Sequence, residues 1–342
     1  MLAACGSVRK KLAGVTIVRS ITRRDAVTGV AATLVATAPA AQFALAQSWP
    51  TRPVRIIVPV AAGTATDLTA RIFGDKLATL WGQGVVVENK PGADGLIALG
   101  SFVSGRDDHT LLFSFSTAVS LNPLIHAKLP YDPAADLVPI TTTSEVLFAI
   151  AVHQGVPAKS LAELSLAARS VPGKFNWAAA PGLPRFVFER HLREQGLDMA
   201  YVSYNQTGGA VQDLGEGRIQ LMIAAVNTLL PVVENGKTRL LGIASTDRAA
   251  NVPAVPHAVE AGYPSLVVPA IGCAYGWKGM SADLRNKLAK DIDTVAQDTS
   301  VVSQIAQVGQ IVRRSTPDDL AKLLAEQRTT LAPLAAIMAN TK

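Results

Sequence analysis

From residue 54 onward the chain alternates short apolar runs with longer amphipathic ones. Residues 54–60 are almost continuously apolar, as expected of a strand covered on both faces in a parallel sheet. Thr66-Asp67 then offers a helix N-cap, and Leu68, Ile72, Leu77, Leu80 and Trp81 fall at helical spacing, predicting one buried face. Gly82 and Gly84 end that helix, Val85-Val86-Val87 predicts a short strand, and Pro91 to Gly95 reads as a turn. A small-residue helix and a strand over 110–115 complete a βαβαβ unit, hence an α/β fold with right-handed crossovers.

The same grammar resumes further on. Strands are predicted over 148–152, 175–180, 200–204, 219–225 and 240–244, with helices opening near Ser160 and over 185–194. Residues 281–334 read as mainly helical, with Leu284, Leu288 and Ile292 on one face and Pro317 at a first helical position. About 300 residues remain after any leader, enough for two domains with separate cores.

Charge changes the picture only at the N-terminus. The 342 residues carry a formal charge of +6, but six of the basic residues and only Asp25 among the acids precede residue 47. The remainder is nearly balanced, with 26 basic and 25 acidic residues, and gives no reason to expect a nucleic-acid partner. Residues 1–46 read as a cleavable signal peptide. Thr22-Arg23-Arg24-Asp25 closes a basic region, an uncharged stretch follows, and Ala44-Leu45-Ala46 offers a cleavage site before Gln47. The paired arginines suit the twin-arginine route, and an ordinary Sec signal fits the same residues. The exported chain is therefore expected in the periplasm. Cys273 is then its only cysteine; it sits among small apolar residues, as a buried thiol would.

Signatures of an enzyme are missing. The sequence has no G-x-S-x-G elbow, H-E-x-x-H, C-x-x-C or phosphate-binding G-x-x-x-x-G-K, and its five histidines are scattered. A hydrolase or isomerase is left without a motif, and no cofactor or metal is expected.

Several ordered blocks are recognisable together. They include Pro50-Thr51-Arg52-Pro53-Val54-Arg55-Ile56-Ile57-Val58-Pro59, Thr66-Asp67 and Val85-Val86-Val87-Glu88-Asn89-Lys90-Pro91-Gly92-Ala93. Leu121-Asn122-Pro123, Lys128-Leu129-Pro130-Tyr131-Asp132-Pro133 and Val156-Pro157-Ala158-Lys159-Ser160 follow, then Gly217-Arg218-Ile219 and Val252-Pro253-Ala254-Val255-Pro256. From about Trp49 to Thr316 the chain resembles the Bug family, the periplasmic receptors of tripartite tricarboxylate transporters. The resemblance implies a type II periplasmic-binding fold of two α/β lobes. Lobe one would take residues 47–145 and 270–342, lobe two residues 146–269, with a ligand cleft between them that closes by hinge motion. It further implies a monomeric receptor for a small organic anion, a di- or tricarboxylate or an aromatic acid. Such a receptor passes its ligand to membrane permease subunits or presents it to a sensor kinase.

In that family one ligand carboxylate lies between the loops after the first and second strands. Here these loops supply Ala62, Gly63, Thr64, Ala65 and Thr66, and Asp94 and Gly95. Each runs into a helix N-terminus, where unpaired amides and the positive dipole end attract an anion. Read without the resemblance, both are ordinary βα turns. Thr64 stands where relatives have Gly, and its hydroxyl is expected to donate to the ligand or narrow the pocket. Thr64→Ala should then weaken binding and leave the ligand-free protein's stability unchanged. Asp94 replaces a common Gly and puts a carboxylate beside the anion site. Ser116 and Thr117 add hydroxyls. In lobe two, Gly182 and Thr207 precede helices, and Arg185 either clamps a second carboxylate or lies solvated in a first turn. Relatives that bind amino acids often have Asp where this chain has Ala224, which argues against an α-amino ligand.

Overall fold

A short parallel strand cannot bury its faces alone, so the first two strands of the N-terminal unit are each followed by a covering helix. In the computed structural model, which describes residues 49–105, 107–180, 182–204 and 207–339, β1 (Val54–Val58) leads into α1 (Ala65–Trp81). Then come β2 (Val85–Asn89), α2 (Leu96–Gly105), β3 (Thr110–Phe115) and the single turns α3 (Thr117–Ser120) and α4 (Asn122–Ile125). β4 (Leu137–Val146) stays in this sheet, and β5 (Phe148–His153) begins a second one.

The second sheet is built by α5 (Leu161–Ser170), β6 (Asn176–Ala179), α6 (Leu183–Gln195), β7 (Ala200–Tyr201), α7 (Thr207–Gly215), β8 (Leu221–Ala225), α8 (Val226–Glu234) and β9 (Thr238–Ile243). The chain then returns to the first sheet with β10 (Ile271–Trp277), α9 (Ala282–Ala296), α10 (Thr299–Gln307), β11 (Gln310–Val312) and α11 (Pro317–Ala339). Among the described residues the strand orders are β11-β4-β10-β3-β1-β2 and β7-β6-β8-β5-β9. This is the two-lobed α/β periplasmic-binding fold. The expected leader, residues 1–46, lies outside the described residues, and no described helix is long and apolar enough to cross a membrane.

The expected N-terminal elements are present, with three corrections. Thr64, not Thr66-Asp67, caps α1: its extended backbone (φ −74°, ψ 159°) starts the helix at Ala65, and its Oγ accepts from the Asp67 amide. The buried face of α1 is rotated from the expected one. Ala70, Phe73 and Leu77 are buried, while Leu68 and Leu80 are exposed. The first sheet is mixed, because β4 and β11 run antiparallel to each other and β10 antiparallel to both β3 and β4. The sequence pattern does not announce β4, whose Thr141-Thr142-Thr143-Ser144 run is polar yet buried. Cys273, on β10, is fully buried as expected, and burial pushes its thiol up to about 12.

Each sheet has its own core. Ile56, Phe73, Leu111 and Ile292 meet over the first, and Ile150, Trp177, Phe188 and Ile223 over the second. A further cluster joins the two. Leu121 from the end of α3 and Leu331 from α11 pack with Leu183 and Val187 of α6, and with Val146, Ala244 and Ala270 of the crossing segments.

Candidate functional site

Parallel pairing brings the first-lobe loops to one end of the sheet. β1 runs parallel to both β2 and β3, with Val58 opposite Asn89. The loops carrying Gly63, Asp94 and Ser116 therefore leave the sheet side by side. Two contacts fasten the first pair. Asn89 Nδ2 donates to the Val60 carbonyl at 3.1 Å, and Gly95 lies so close to Pro59 that an added Cβ would come within 3.2 Å of it.

The first loop is organised around a residue that the sequence reading treated only as a cap. Asp67 is 1% exposed. Its carboxylate accepts from the Gly63 amide at 2.9 Å, Arg71 Nε at 3.1 Å and Asn89 Nδ2 at 2.7 Å. Burial alone would raise its pKa, but the bonds from Arg71, Asn89 and Gly63 outweigh it and hold the carboxyl below its ordinary range. Arg71 also donates to Asn89 Oδ1 at 3.0 Å, so the loop, the helix and β2 close into one network. The Gly63 amide is accordingly engaged inside the protein in this conformation. The position of Asp67 three residues after Thr64, followed by Arg71 one turn on, is the sequence signal that would have found this network.

Thr64 is engaged too. Its hydroxyl donates to the Ala61 carbonyl at 2.9 Å and accepts from the Asp67 amide at 3.4 Å. With its proton already shared, Thr64 acts as a helix cap, which replaces the expectation that its removal leaves stability untouched. Thr64→Ala should lower the stability of the ligand-free protein by about 0.5–2 kcal/mol, measured by chemical denaturation. An unchanged midpoint would show that the cap bond contributes nothing.

The second loop turns left-handed. Gly92, Ala93, Asp94 and Gly95 have successive φ values of 118°, 49°, 53° and 87°. For Ala93 and Asp94 that costs on the order of 1 kcal/mol each, which a Gly at either position would not incur. The Asp94 carboxylate is half exposed and lies 3.3 Å from His126 Nε2. Ile97 covers Gly92, leaving the turn one apolar wall. In the third loop Ser116 is fully buried, its amide donates to the Ile271 carbonyl at 2.8 Å, and its Oγ has no partner among the described residues. Ala62, Gly63 and Thr64 are exposed, Ala65 is buried, and Thr66 and Thr117 are half-buried.

In the second lobe β6 runs parallel to β7 and β8, which sets the segments after β6 and β7 at one end of that sheet. Gly182 (φ 86°) immediately precedes α6, and Thr207 opens α7. The neighbouring positions Pro181, Asn205 and Gln206 lie outside the described residues. Arg185 turns back along its own helix: Nε donates to Glu189 Oε1 at 2.9 Å, and the guanidinium lies 4.3 Å above the Tyr201 ring. Only Nε is committed to Glu189, so the two terminal nitrogens remain to grip a carboxylate end-on. The start of α6 packs with Leu121 and Phe115 of the first lobe, which draws the Ser116 end of one sheet toward the Arg185 end of the other.

Two other places compete for attention. Asp107, Asp108 and His109 cluster as metal ligands would. Arg52, however, bridges Asp107 at 2.6 Å and Asp108 at 2.8 Å, so the cation these carboxylates need is already a guanidinium. A cavity of about 410 Å³ lies along the outer edge strand β9, lined by Leu161, Leu240, Val255, Pro256 and Glu260. It is away from all the loops above.

Comparison with known proteins agrees with this architecture. The model of the tripartite tricarboxylate transporter family receptor matches residues 69–338. Protein BugT of Bordetella pertussis is 30% identical over 312 residues, 90% of this chain and 95% of its own. The periplasmic binding protein BugD superposes with a TM-score of 0.70 at 25% identity, over 84% of this chain and 97% of its own. MatC from Rhodopseudomonas palustris, solved with bound malate, superposes with a TM-score of 0.70 at 27% identity, over 84% and 99%.

Proposed function

We propose the ligand class, its seat and the lobe boundaries from one premise: this chain belongs to the tripartite tricarboxylate transporter family of receptors. It is thus a periplasmic solute-binding receptor and not an enzyme. The ligand is a small carboxylate, a di- or tricarboxylate or an aromatic acid, delivered to membrane permease subunits. It lies between lobe one (47–145 and 270–342) and lobe two (146–269), against Ala62 to Thr66, Asp94, Gly95, Ser116 and Thr117 on one side and Gly182, Arg185 and Thr207 on the other. MatC, a relative with the same fold, carries malate.

The observation that carries this reading is the convergence of three strand-to-helix loops at one sheet end, with the buried Ser116 hydroxyl, which has no partner among the described residues, beside them. A buried hydroxyl without a partner costs about 1–3 kcal/mol, which a ligand oxygen would recover once the lobes part enough to admit it. Rigid amides at helix starts supply the complementary positive field. Melting curves recorded with mono-, di- and tricarboxylates, aromatic acids and their neutral amides test the class. A true ligand at 100 times its dissociation constant adds about 2.7 kcal/mol of stability. Acids should raise the melting temperature and their amides should not. Stabilisation by the amides alone, or by none of the acids, would refute the carboxylate reading.

A further inference from the structure

An ion network ties the two lobes together beside the crossing segments. Glu145, the penultimate residue of β4, belongs to the first sheet and is 5% exposed. Its Oε2 accepts from Arg313 Nε at 2.8 Å, and Arg313 follows β11 in the same sheet, its amide donating to the Thr143 carbonyl. The same guanidinium reaches across to Asp247. Glu145 Oε1 accepts from Ser245 Oγ at 3.1 Å. Ser245 and Asp247 come from the other lobe, on the segment leaving β9, where the Ala244 amide still donates to the Phe148 carbonyl.

One cation is thereby shared between a buried carboxylate of its own lobe and a half-exposed carboxylate of the other. The Glu145 leg is fixed, since leaving that buried charge unpaired is costly. The Asp247 leg is not. Asp247 is 42% exposed on its side chain, and water can take over from the guanidinium there. The covalent crossings lie close by, at Val146-Leu147 and between Ala244 and Ile271. Any rotation of the lobes about those segments changes the separation of Arg313 from Asp247 and of Glu145 from Ser245.

We propose that Arg313, anchored on Glu145, is an inter-lobe latch: its bond to Asp247, with the Ser245–Glu145 bond, holds the lobe arrangement seen here and so sets how readily the receptor moves between arrangements. The proposal rests on the two-lobed fold and not on the ligand, so it stands or falls separately from the carboxylate reading. Its residues are outside the proposed ligand-contact set, and a population shift changes apparent affinity without requiring a new ligand contact.

The test uses ligand-free protein carrying spin labels at Leu80→Cys and Leu166→Cys, exposed positions on α1 and α5, in a Cys5→Ser background. Cys273 is fully buried and stays unlabelled. Asp247→Asn, which leaves the Arg313–Glu145 pair intact, and Ser245→Ala with Asp247→Asn should add a second inter-lobe distance population. Arg313→Lys, a point charge unable to fork between two carboxylates, should give an intermediate distribution. An unchanged distance distribution in the folded Asp247→Asn and double variants would overturn the proposal, even if the melting temperature fell, because the network would then be a stabilising contact only.

Discussion

Asp67→Ala should be the most damaging single change near the proposed ligand seat, in both stability and binding. Removing the carboxylate strands the Gly63 amide and takes one of two acceptors each from Asn89 Nδ2 and the Arg71 guanidinium, which keep the Val60 carbonyl and Asn89 Oδ1. Breaking a buried ion pair from one side costs about 3–5 kcal/mol, and Arg71 is 44% exposed and can turn to water, so the low end, about 3 kcal/mol, applies. The first loop then loses the anchor for its glycine, and carboxylate affinity should fall by roughly tenfold or more, about 1.4 kcal/mol. The pH dependence has a definite sign. The folded-state pKa of Asp67 lies below the unfolded one, so the stabilisation is complete above the unfolded value of about 4 and is lost as the pH falls through the folded value. Denaturation at pH 7 should show the full difference between wild type and variant, with convergence in acid. A difference that grew toward low pH, or a variant that bound like wild type, would remove Asp67 from the loop's architecture.

The second large effect belongs to the other lobe. Trp177 is 1% exposed, with the rings of Phe188 and Tyr201 each 4.8 Å from it. Trp177→Ala should cost about 3–5 kcal/mol through lost contacts and a residual cavity. Trp177→Phe should cost far less, because it keeps most of the aromatic packing and removes an indole N–H that has no partner among the described residues. The loss should also reach the proposed seat, since Tyr201 carries the Arg185 guanidinium on its face. Equal destabilisation by the two variants would mean that the N–H is satisfied and the packing argument incomplete.

Legibility in the sequence followed how local the cause was. β1, β3, α5 and the long α11 announce themselves through apolar runs, a Ser cap and a Pro at the first helical position, all decided within a few residues. β4 is hidden because its central Thr141–Ser144 run is polar, and only its place between β10 and β11 buries it. The buried face of α1 was misread because periodicity marks every apolar residue. Only the sheet beneath decides that Phe73 goes inward and Leu68 outward. At the seat, the loops and their glycines are visible as βα turns. The engagement of Gly63 and Thr64 with Asp67 is local and open to the spacing of these residues, whereas the tie to Asn89, 22 residues beyond Asp67, is not visible. Arg313 is less legible still, its partners lying 66 and 168 residues away.

The account stands on a carboxylate held at the inter-lobe end of the first sheet. Calorimetric titration of the best acid against its methyl ester tests that most directly. One acid should bind per chain, and the ester, which keeps the shape and loses the charge, should bind about 10- to 150-fold more weakly, equivalent to about 1.5–3 kcal/mol for a hydrogen bond to a charged group. Ester and acid binding with equal affinity, or a stoichiometry other than one, would contradict it.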